Sequence, residues 1–225
     1  MTRQRNPGVA GEFTVSRTFT FSASHELREL PPGHKCRRNH GHNYTVTAVA
    51  HVCDGGTGDL AALGSYLDAT FEHQLINERI PFHPTCELLA RHLAEWFTAN
   101  IDSAVLASIV VSETPATAAH CDGATLEVTI SKTFVSAYGE VTVLLEADDL
   151  DEAGFITDFG DLSPFAACLR DPAATERLCG AGPAIVVHLA RWFGGSIEPK
   201  IRARLRSLRM VSGSTTSSWE RGDVA

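Results

Sequence analysis

The chain repeats its own sequence pattern, and this internal repeat constrains its fold more than any other feature. Five short segments of the first half return in the same order in the second half. Each match is short, but five matches in one order are hard to obtain by chance, so they indicate two copies of one structural unit. The matched segments are 16–19 with 131–134, 46–47 with 141–142, 58–60 with 160–162, 93–97 with 189–193, and 111–112 with 211–212.

The second copy lacks one stretch of the first, the long loop that runs from Ala23 to Tyr44. At the matching place, Ala137 is followed directly by Tyr138. The missing loop holds the residues of the first copy that are best suited to metal chemistry, which are His25, Cys36, His40 and His42. We therefore expect the chemistry in the first copy and read the second as an architectural unit fused to it.

Apolar periodicity predicts the same order of strands and helices in each copy. In the first copy it predicts strands at 13–25, 44–52, 108–113 and 118–121, with helices at 60–71 and from Cys86, where Thr85 can cap the helix. In the second copy it predicts strands at 126–137, 140–146 and 205–211, with helices from Gly160 and at 184–193. The expected fold is α+β, with the order ββααββ occurring twice and each antiparallel sheet carrying two helices on one face. The expected domains are a flexible tail (1–12), a catalytic unit (13–123) and a degenerate unit (124–225).

Composition excludes several classes of function. A formal net charge of −8 and a pI near 5.6 argue against a nucleic-acid-binding surface, which requires a basic stripe. Apolar runs such as Ile109 to Val111 are too short to cross a bilayer. The six cysteines form no C-x-x-C pair, which favours a reducing, cytoplasmic location with free thiols.

The spacing of three histidines suggests a metal site. His40 and His42 are two residues apart, so on a strand both rings point to the same face, and a hairpin brings His25 alongside. Three imidazoles leave one tetrahedral position open, which is the arrangement of catalytic zinc. The His-Gly-His spacing alone, however, occurs more often in a surface turn.

The longer sequence context resembles the 6-pyruvoyl/6-carboxy-tetrahydropterin synthase family. That family has an aromatic-x-A-[AS]-H strand followed by C-x-x-x-H-G-H-x-[YF], and further motifs follow here in the same order. The matching segments are 21–25 (FSASH), 36–44 (CRRNHGHNY), 71–77 (FEHQLIN), 84–87 (PTCE) and 111–114 (VSET), with 154–162 (GFITDFGDL) in the second copy.

The resemblance implies a T-fold that assembles edge to edge into a barrel as a homo-oligomer, with active sites between neighbouring units. It implies Zn²⁺ held by His25, His40 and His42, and a small pterin, 7,8-dihydroneopterin triphosphate, as the substrate. No nucleic-acid or membrane partner is expected.

The resemblance also implies three catalytic residues. Cys36 matches the proton-abstracting cysteine, although without the family pattern a buried, inert thiol would be the favoured reading. His73 matches the relay histidine, and Glu113 matches the carboxylate that anchors the pterin. Glu72 stands where the family usually has Asp, one methylene shorter, and Gly213 occupies the position of Glu113 in the second copy.

Three functions remain open at this point. Three residues separate Cys36 from His40, which is typical of 6-carboxy-tetrahydropterin synthase in the pathway to queuosine, and this is the favoured interpretation. The alternative is a 6-pyruvoyl-tetrahydropterin synthase, which eliminates triphosphate without releasing acetaldehyde. A zinc-binding scaffold without turnover is the third possibility, suggested by Glu72 and the degenerate second copy.

Overall fold

One antiparallel sheet runs through the computed structural model, which describes residues 13–52, 58–179 and 184–222. Its eight strands are neighbours in the order in which they occur along the chain. They are β1 (Thr14–His25), β2 (His40–Val52), β3 (Ala104–Thr114), β4 (Thr117–Asp122), β5 (Val128–Ser136), β6 (Gly139–Glu146), β7 (Arg204–Ser212) and β8 (Thr215–Glu220).

Helices follow the second strand of each half. The first half has α1 (Ala61–Phe71) and α2 (Cys86–Asn100), and the second has α3 (Ser163–Arg170), α4 (Pro172–Cys179) and α5 (Ile185–Ser196). The predicted cap of α2 is present, since the Thr85 hydroxyl accepts a hydrogen bond of 3.1 Å from the Leu88 amide.

The helices cover one face of the sheet and form the core with it. Along β2, Tyr44, Val46, Ala48 and Ala50 are buried, while the residues between them are half-buried or exposed. This period of two is the signature of a sheet with one face against a core. A single apolar cluster connects both halves, and it includes Phe97 on α2 and Phe193 on α5.

The expected α+β fold with an antiparallel sheet and few helices is confirmed. Two points differ from the sequence-based expectation. The two expected sheets form one continuous sheet, because β4 pairs with β5 and places Ala119 opposite Ile130. Helix α4 is a short helix that was not predicted, and the fourth strand of the second copy, expected from the order ββααββ but not assigned to residues, is β8, which is rich in Ser and Thr without a clear apolar alternation.

The expected domain limits remain predictions. Gly123 lies in the turn between β4 and β5, within the continuous sheet. The tail 1–12 and most of the segment that would match 154–162 in the first copy lie outside the described residues. No helix in the described part of the chain is both long and apolar enough to span a membrane.

Candidate active site

Three histidine side chains converge at one end of the sheet. His25 is the last residue of β1 and pairs with His40, the first residue of β2, while His42 lies two residues further along the same strand. One ring nitrogen from each histidine lies within 4.8 Å of those of the other two. The Nε2 atoms of His25 and His40 are 3.1 Å apart, close to the roughly 3.3 Å that separates two nitrogen ligands on a tetrahedral zinc.

Backbone carbonyls orient two of these rings. His25 Nδ1 donates to the Pro84 carbonyl at 2.9 Å, and His40 Nδ1 donates to the Arg38 carbonyl at 2.7 Å. Burial lowers the pKa of His25 to about 4, so its ring is neutral at physiological pH. A neutral His25 ring that donates through Nδ1 presents a lone pair at Nε2, which points toward His40 Nε2. This lone pair is available to a metal ion.

The third ring also fits a metal. His42 Nε2 is buried and has no hydrogen-bond partner, which is costly for a polar atom unless a ligand satisfies it. Burial lowers the pKa of His42, while the Glu113 carboxylate acts in the opposite direction. The three histidines can therefore hold a metal ion through Nε2 atoms, with carbonyls behind two of them in the usual outer-shell role.

Glu113 lies beside the histidines. It is near the end of β3, and its Oε2 atom is 3.9 Å from His25 Nε2 and 4.0 Å from His42 Nε2. The buried Cys86 thiol donates to the same oxygen at 3.6 Å. The structure thus brings the predicted anchor together with the predicted metal ligands.

Cys36 lies in the loop over the same site. It is in a 3-10 turn (Lys35–Arg37), where the His34 side chain accepts a hydrogen bond of 3.2 Å from the Cys36 amide. Burial raises the pKa of the Cys36 thiol, the nearby carboxylate of Glu113 adds to this, and Lys35 opposes it. Cys36, His40, His42, Cys86 and Glu113 all line a cavity of about 570 Å³, which we call the histidine cavity.

His73 lies elsewhere. Its side chain is 79% exposed and lines a surface depression with Ser22, Ser24 and Asn43, which belong to the outward-facing rows of β1 and β2. The His73 amide donates to the Ser22 carbonyl at 2.7 Å, so the backbone at His73 lies along the outer edge of β1. Within one chain, the structure does not bring His73 together with Cys36.

Glu72 keeps a contact with His73 despite its extra methylene. Its Oε1 atom is 3.2 Å from His73 Nε2, and its Oε2 atom accepts from the Ser22 amide at 2.8 Å. The carboxylate is therefore held between the β1 edge and the imidazole.

The second half of the chain forms one wall of the histidine cavity, which sequence reasoning missed. Asp158 Oδ2 is 3.1 Å from His34 Nε2, and Lys132 Nζ donates to the Phe159 carbonyl at 2.9 Å. A signal was present in the sequence, because the motif 154–162 is retained in a half that otherwise lacks the site. The residues of the second half that line the cavity are Lys132, Phe155, Thr157, Asp158, Phe159, Gly160 and Ser163.

The segment 153–159, which we call the wall loop, is attached to the start of α2. His83 Nδ1 donates to the Ala153 carbonyl at 2.6 Å, and the Thr85 hydroxyl donates to the Gly154 carbonyl at 2.9 Å. The Ile156 amide donates to Glu87 Oε1 at 3.2 Å. Burial raises the pKa of Glu87 to about 7. Because Pro84 orients His25, the wall loop contacts the same segment that supports a metal ligand.

The first half of the chain is similar to a known protein family. Residues 14–124 match the family model described as 6-pyruvoyl tetrahydropterin synthase. The match covers just under half of the chain. The three histidines, Cys36 and Glu113 all lie within the matched residues.

Two solved structures are each similar to about half of this chain. An uncharacterized protein from Wolinella succinogenes is 18% identical, with a TM-score of 0.42, over 50% of this chain and 99% of its own. The 6-pyruvoyl tetrahydropterin synthase of Caenorhabditis elegans is 25% identical, with a TM-score of 0.39, over 47% of this chain and 91% of its own.

Proposed function

We propose that the protein is a zinc-dependent lyase that converts 7,8-dihydroneopterin triphosphate to 6-carboxy-5,6,7,8-tetrahydropterin, with release of acetaldehyde and triphosphate. The observation that carries this proposal is the convergence of three histidine side chains beside a cavity that is lined by two of them, a thiol and a carboxylate. The family match points to tetrahydropterin synthase chemistry in general.

Each residue of the site would have its own role in such a reaction. Bound Zn²⁺ would act as a Lewis acid toward the side-chain hydroxyls of the pterin and acidify the neighbouring C–H bonds. Glu113 would accept two parallel hydrogen bonds, from the 2-amino group and the ring N–H of the pterin. The Cys36 sulfur would take the proton, and a nearby dication favours the thiolate that this requires.

The carboxy product is favoured over the pyruvoyl product by one feature of the chain. Three residues lie between Cys36 and His40, the spacing of 6-carboxy-tetrahydropterin synthases in the pathway to queuosine. The alternative is the 6-pyruvoyl reaction, which gives the family model its name.

We further propose that the protein works as a closed, cytoplasmic homo-oligomer, in which T-fold units pair edge to edge into a barrel. The described part of β1 before Ser22, and the whole of β8, have no strand neighbour on their outer edges. Such edges are normally paired or blunted. Assembly would also bring His73 of one chain toward the cavity of another, since its exposed ring lies outside its own cavity.

Product analysis with purified, zinc-loaded protein and 7,8-dihydroneopterin triphosphate tests the reaction. Release of both acetaldehyde and triphosphate supports the 6-carboxy reaction. Release of triphosphate without acetaldehyde supports the 6-pyruvoyl alternative. A protein that binds zinc but releases neither product would be a scaffold, and the proposal would be wrong.

A further inference from the structure

Lys132 occupies a position in β5 where an apolar residue would be expected. Its neighbours on the same face of the strand, Val128, Ile130 and Phe134, are all buried in the core. Successive side chains alternate between the two faces of a strand, so Lys132 points to the core side of the sheet. There it lines the histidine cavity.

Among the described residues, no carboxylate lies within ion-pair distance of this lysine, although Glu87, Glu113 and Asp158 line the same cavity. Its ammonium donates to the Phe159 carbonyl at 2.9 Å and lies 5.3 Å and 5.4 Å from the ring centres of Phe134 and Phe159. Within the described residues it forms no ion pair shorter than 4 Å. The nearest acidic group of the wall loop, Asp158, is 3.1 Å from His34 and accepts from the Gly160 amide at 2.6 Å.

The residue that aligns with Lys132 in the first half does have an acidic partner. Residues 16–19 align with 131–134, so Arg17 corresponds to Lys132. Arg17 forms an ion pair with Asp59 at 3.6 Å. Lys132 instead keeps its charge half-buried and faces a cavity large enough for a ligand.

A second lysine faces the same cavity from the first half. Lys35 precedes Cys36 in the loop over the metal site and lines the histidine cavity with Lys132. Burial lowers the pKa of Lys132, and the charge of Lys35 lowers it further, while Asp158 acts in the opposite direction. Two like charges that face one partly desolvated space are stabilised when an anion binds between them. Thr114 and Thr117 line the same space, and their hydroxyls lie 2.6 Å apart, so one donates to the other and the second can donate to an oxyanion.

We propose that Lys132, supplied by the otherwise degenerate second half, binds the triphosphate group of the substrate together with Lys35 of the first half. This inference rests on the proposed function, from which it takes the polyphosphate. It makes the second half a part of the binding site, in addition to an architectural unit. The ammonium of Lys132 has two protons beyond the one given to Phe159, and both are available for phosphate oxygens.

Two variants test this role, Lys132→Met and Lys132→Arg, each compared with the zinc-loaded wild-type protein. Lys132→Met is expected to weaken the binding of inorganic triphosphate, measured by calorimetry, by ~10-fold or more, and to raise KM for dihydroneopterin triphosphate similarly. The affinity for dihydroneopterin, which has no phosphates, should stay within about twofold, as should the zinc content. Lys132→Arg should retain most of the triphosphate affinity, because it keeps the charge. Lys200→Met is the matched control, since it removes the same charge outside the histidine cavity.

Two results would overturn the proposal. One is unchanged triphosphate binding in Lys132→Met, which would assign any binding to the zinc ion or to another surface. The other is an equal loss of dihydroneopterin and triphosphate, which would make Lys132 a structural or ring-contacting residue.

The same measurements separate this inference from the proposed function. A wild-type protein that binds inorganic triphosphate through Lys132 but converts no pterin would retain the anion site and refute the reaction. If the wild type converts the substrate and Lys132→Met leaves KM unchanged, the reaction is supported and the anion site at Lys132 is refuted.

Discussion

Acceptors behind the histidine rings determine which nitrogen of each ring can bind a metal. The Pro84 and Arg38 carbonyls can only accept hydrogen bonds, so they keep the protons of His25 and His40 on Nδ1. The Nε2 atoms of the two rings are left to face one another, and the sequence contains no sign of this arrangement. The spacing of His40 and His42 predicted that the rings share a face, but the supporting carbonyls come from a loop and from the segment before α2.

Removal of one metal ligand should abolish metal binding. We expect about one zinc per chain in the wild type and a strong loss in His40→Ala, because two imidazoles cannot complete a tetrahedral site with water alone at comparable affinity. Metal analysis after dialysis measures this. His188→Ala, which removes an exposed histidine of α5, is the control and should keep its zinc. Two zincs per wild-type chain, or full occupancy in His40→Ala, would show that the site is elsewhere.

The Cys36 thiol should be needed for turnover and not for metal binding. Cys36→Ala is expected to lower kcat by ~10²–10⁴-fold, the range for loss of a general base, while zinc content is unchanged. Steady-state kinetics combined with metal analysis measures both. Cys168→Ala, at a buried free cysteine of the second half, should be close to wild type in activity. Loss of zinc in Cys36→Ala would instead make the cysteine a ligand.

At the scale of elements, the wall loop joins the two halves around the start of α2. Its contacts with His83, Thr85 and Glu87 bridge about 70 residues of sequence, as in the pair Glu87 and Ile156, 69 residues apart. Such a contact follows from the tertiary fold, so no local pattern predicts it. Most strands and helices, by contrast, follow from local apolar periodicity, which is why α2 with its Thr85 cap could be predicted.

The buried carboxyl of Glu87 makes the stability of the protein depend on pH. Its pKa is raised from 4.5 to about 7, so its contribution to stability is fully present below pH 4.5 and is lost as the pH rises through 7. The full loss is about 3 kcal/mol, from about 1.4 kcal/mol per pKa unit. Glu87→Gln does not ionise and should therefore gain stability relative to the wild type as the pH rises from 4.5 to 8.

Urea unfolding across this pH range measures the difference. Glu95→Gln, an exposed position on the same helix, should show no such trend. A stability difference between Glu87→Gln and the wild type that stays constant with pH would contradict the raised pKa.

A side chain at Gly154 should destabilise the packing of the wall loop against α2. Gly154 has a φ of +87°, and a Cβ there would lie 2.3 Å from Leu88 Cδ1. Gly33 has a similar φ of +94° but nothing within 4 Å of a Cβ. Gly33→Ala thus reports the backbone strain alone. Gly154→Ala should lose ~1–3 kcal/mol more stability than Gly33→Ala, because it adds overpacking to the strain. Thermal or urea unfolding measures this, and equal losses in the two variants would show that the loop moves away from α2 at little cost.

On the scale of the whole molecule, the two halves are one packed body, since a continuous sheet and a shared core join them. The internal repeat predicted two similar sets of elements but gave no information on whether their sheets would join. Pairing of β4 with β5 depends on backbone hydrogen bonds that any sequence can form, so side-chain patterns do not reveal it. For the same reason, the sequence assigned the second half an architectural role and missed its wall of the histidine cavity.

The first half should therefore not function alone. A fragment of residues 1–123 exposes the edge of β4 and lacks the wall loop, so we expect it to aggregate or to show no turnover, while the full chain forms a closed homo-oligomer. Light scattering gives the mass of each, and an assay with dihydroneopterin triphosphate gives the activity. A stable, fully active assembly of the fragment would show that the second half is dispensable, and a monomeric full-length protein would refute the oligomer.

The chain order of the strands also bears on how each molecule is made. Every neighbouring pair in the sheet joins strands that follow one another along the chain, so the sheet can grow from β1 outward as the polypeptide leaves the ribosome. The three histidines and Glu113 all precede β4, whereas the wall loop is synthesised later and then contacts the segment before α2, as in the pair His83 and Ala153, 70 residues apart. A nascent chain can thus bring together the three histidines that could hold a metal ion before the far wall of the histidine cavity has been synthesised.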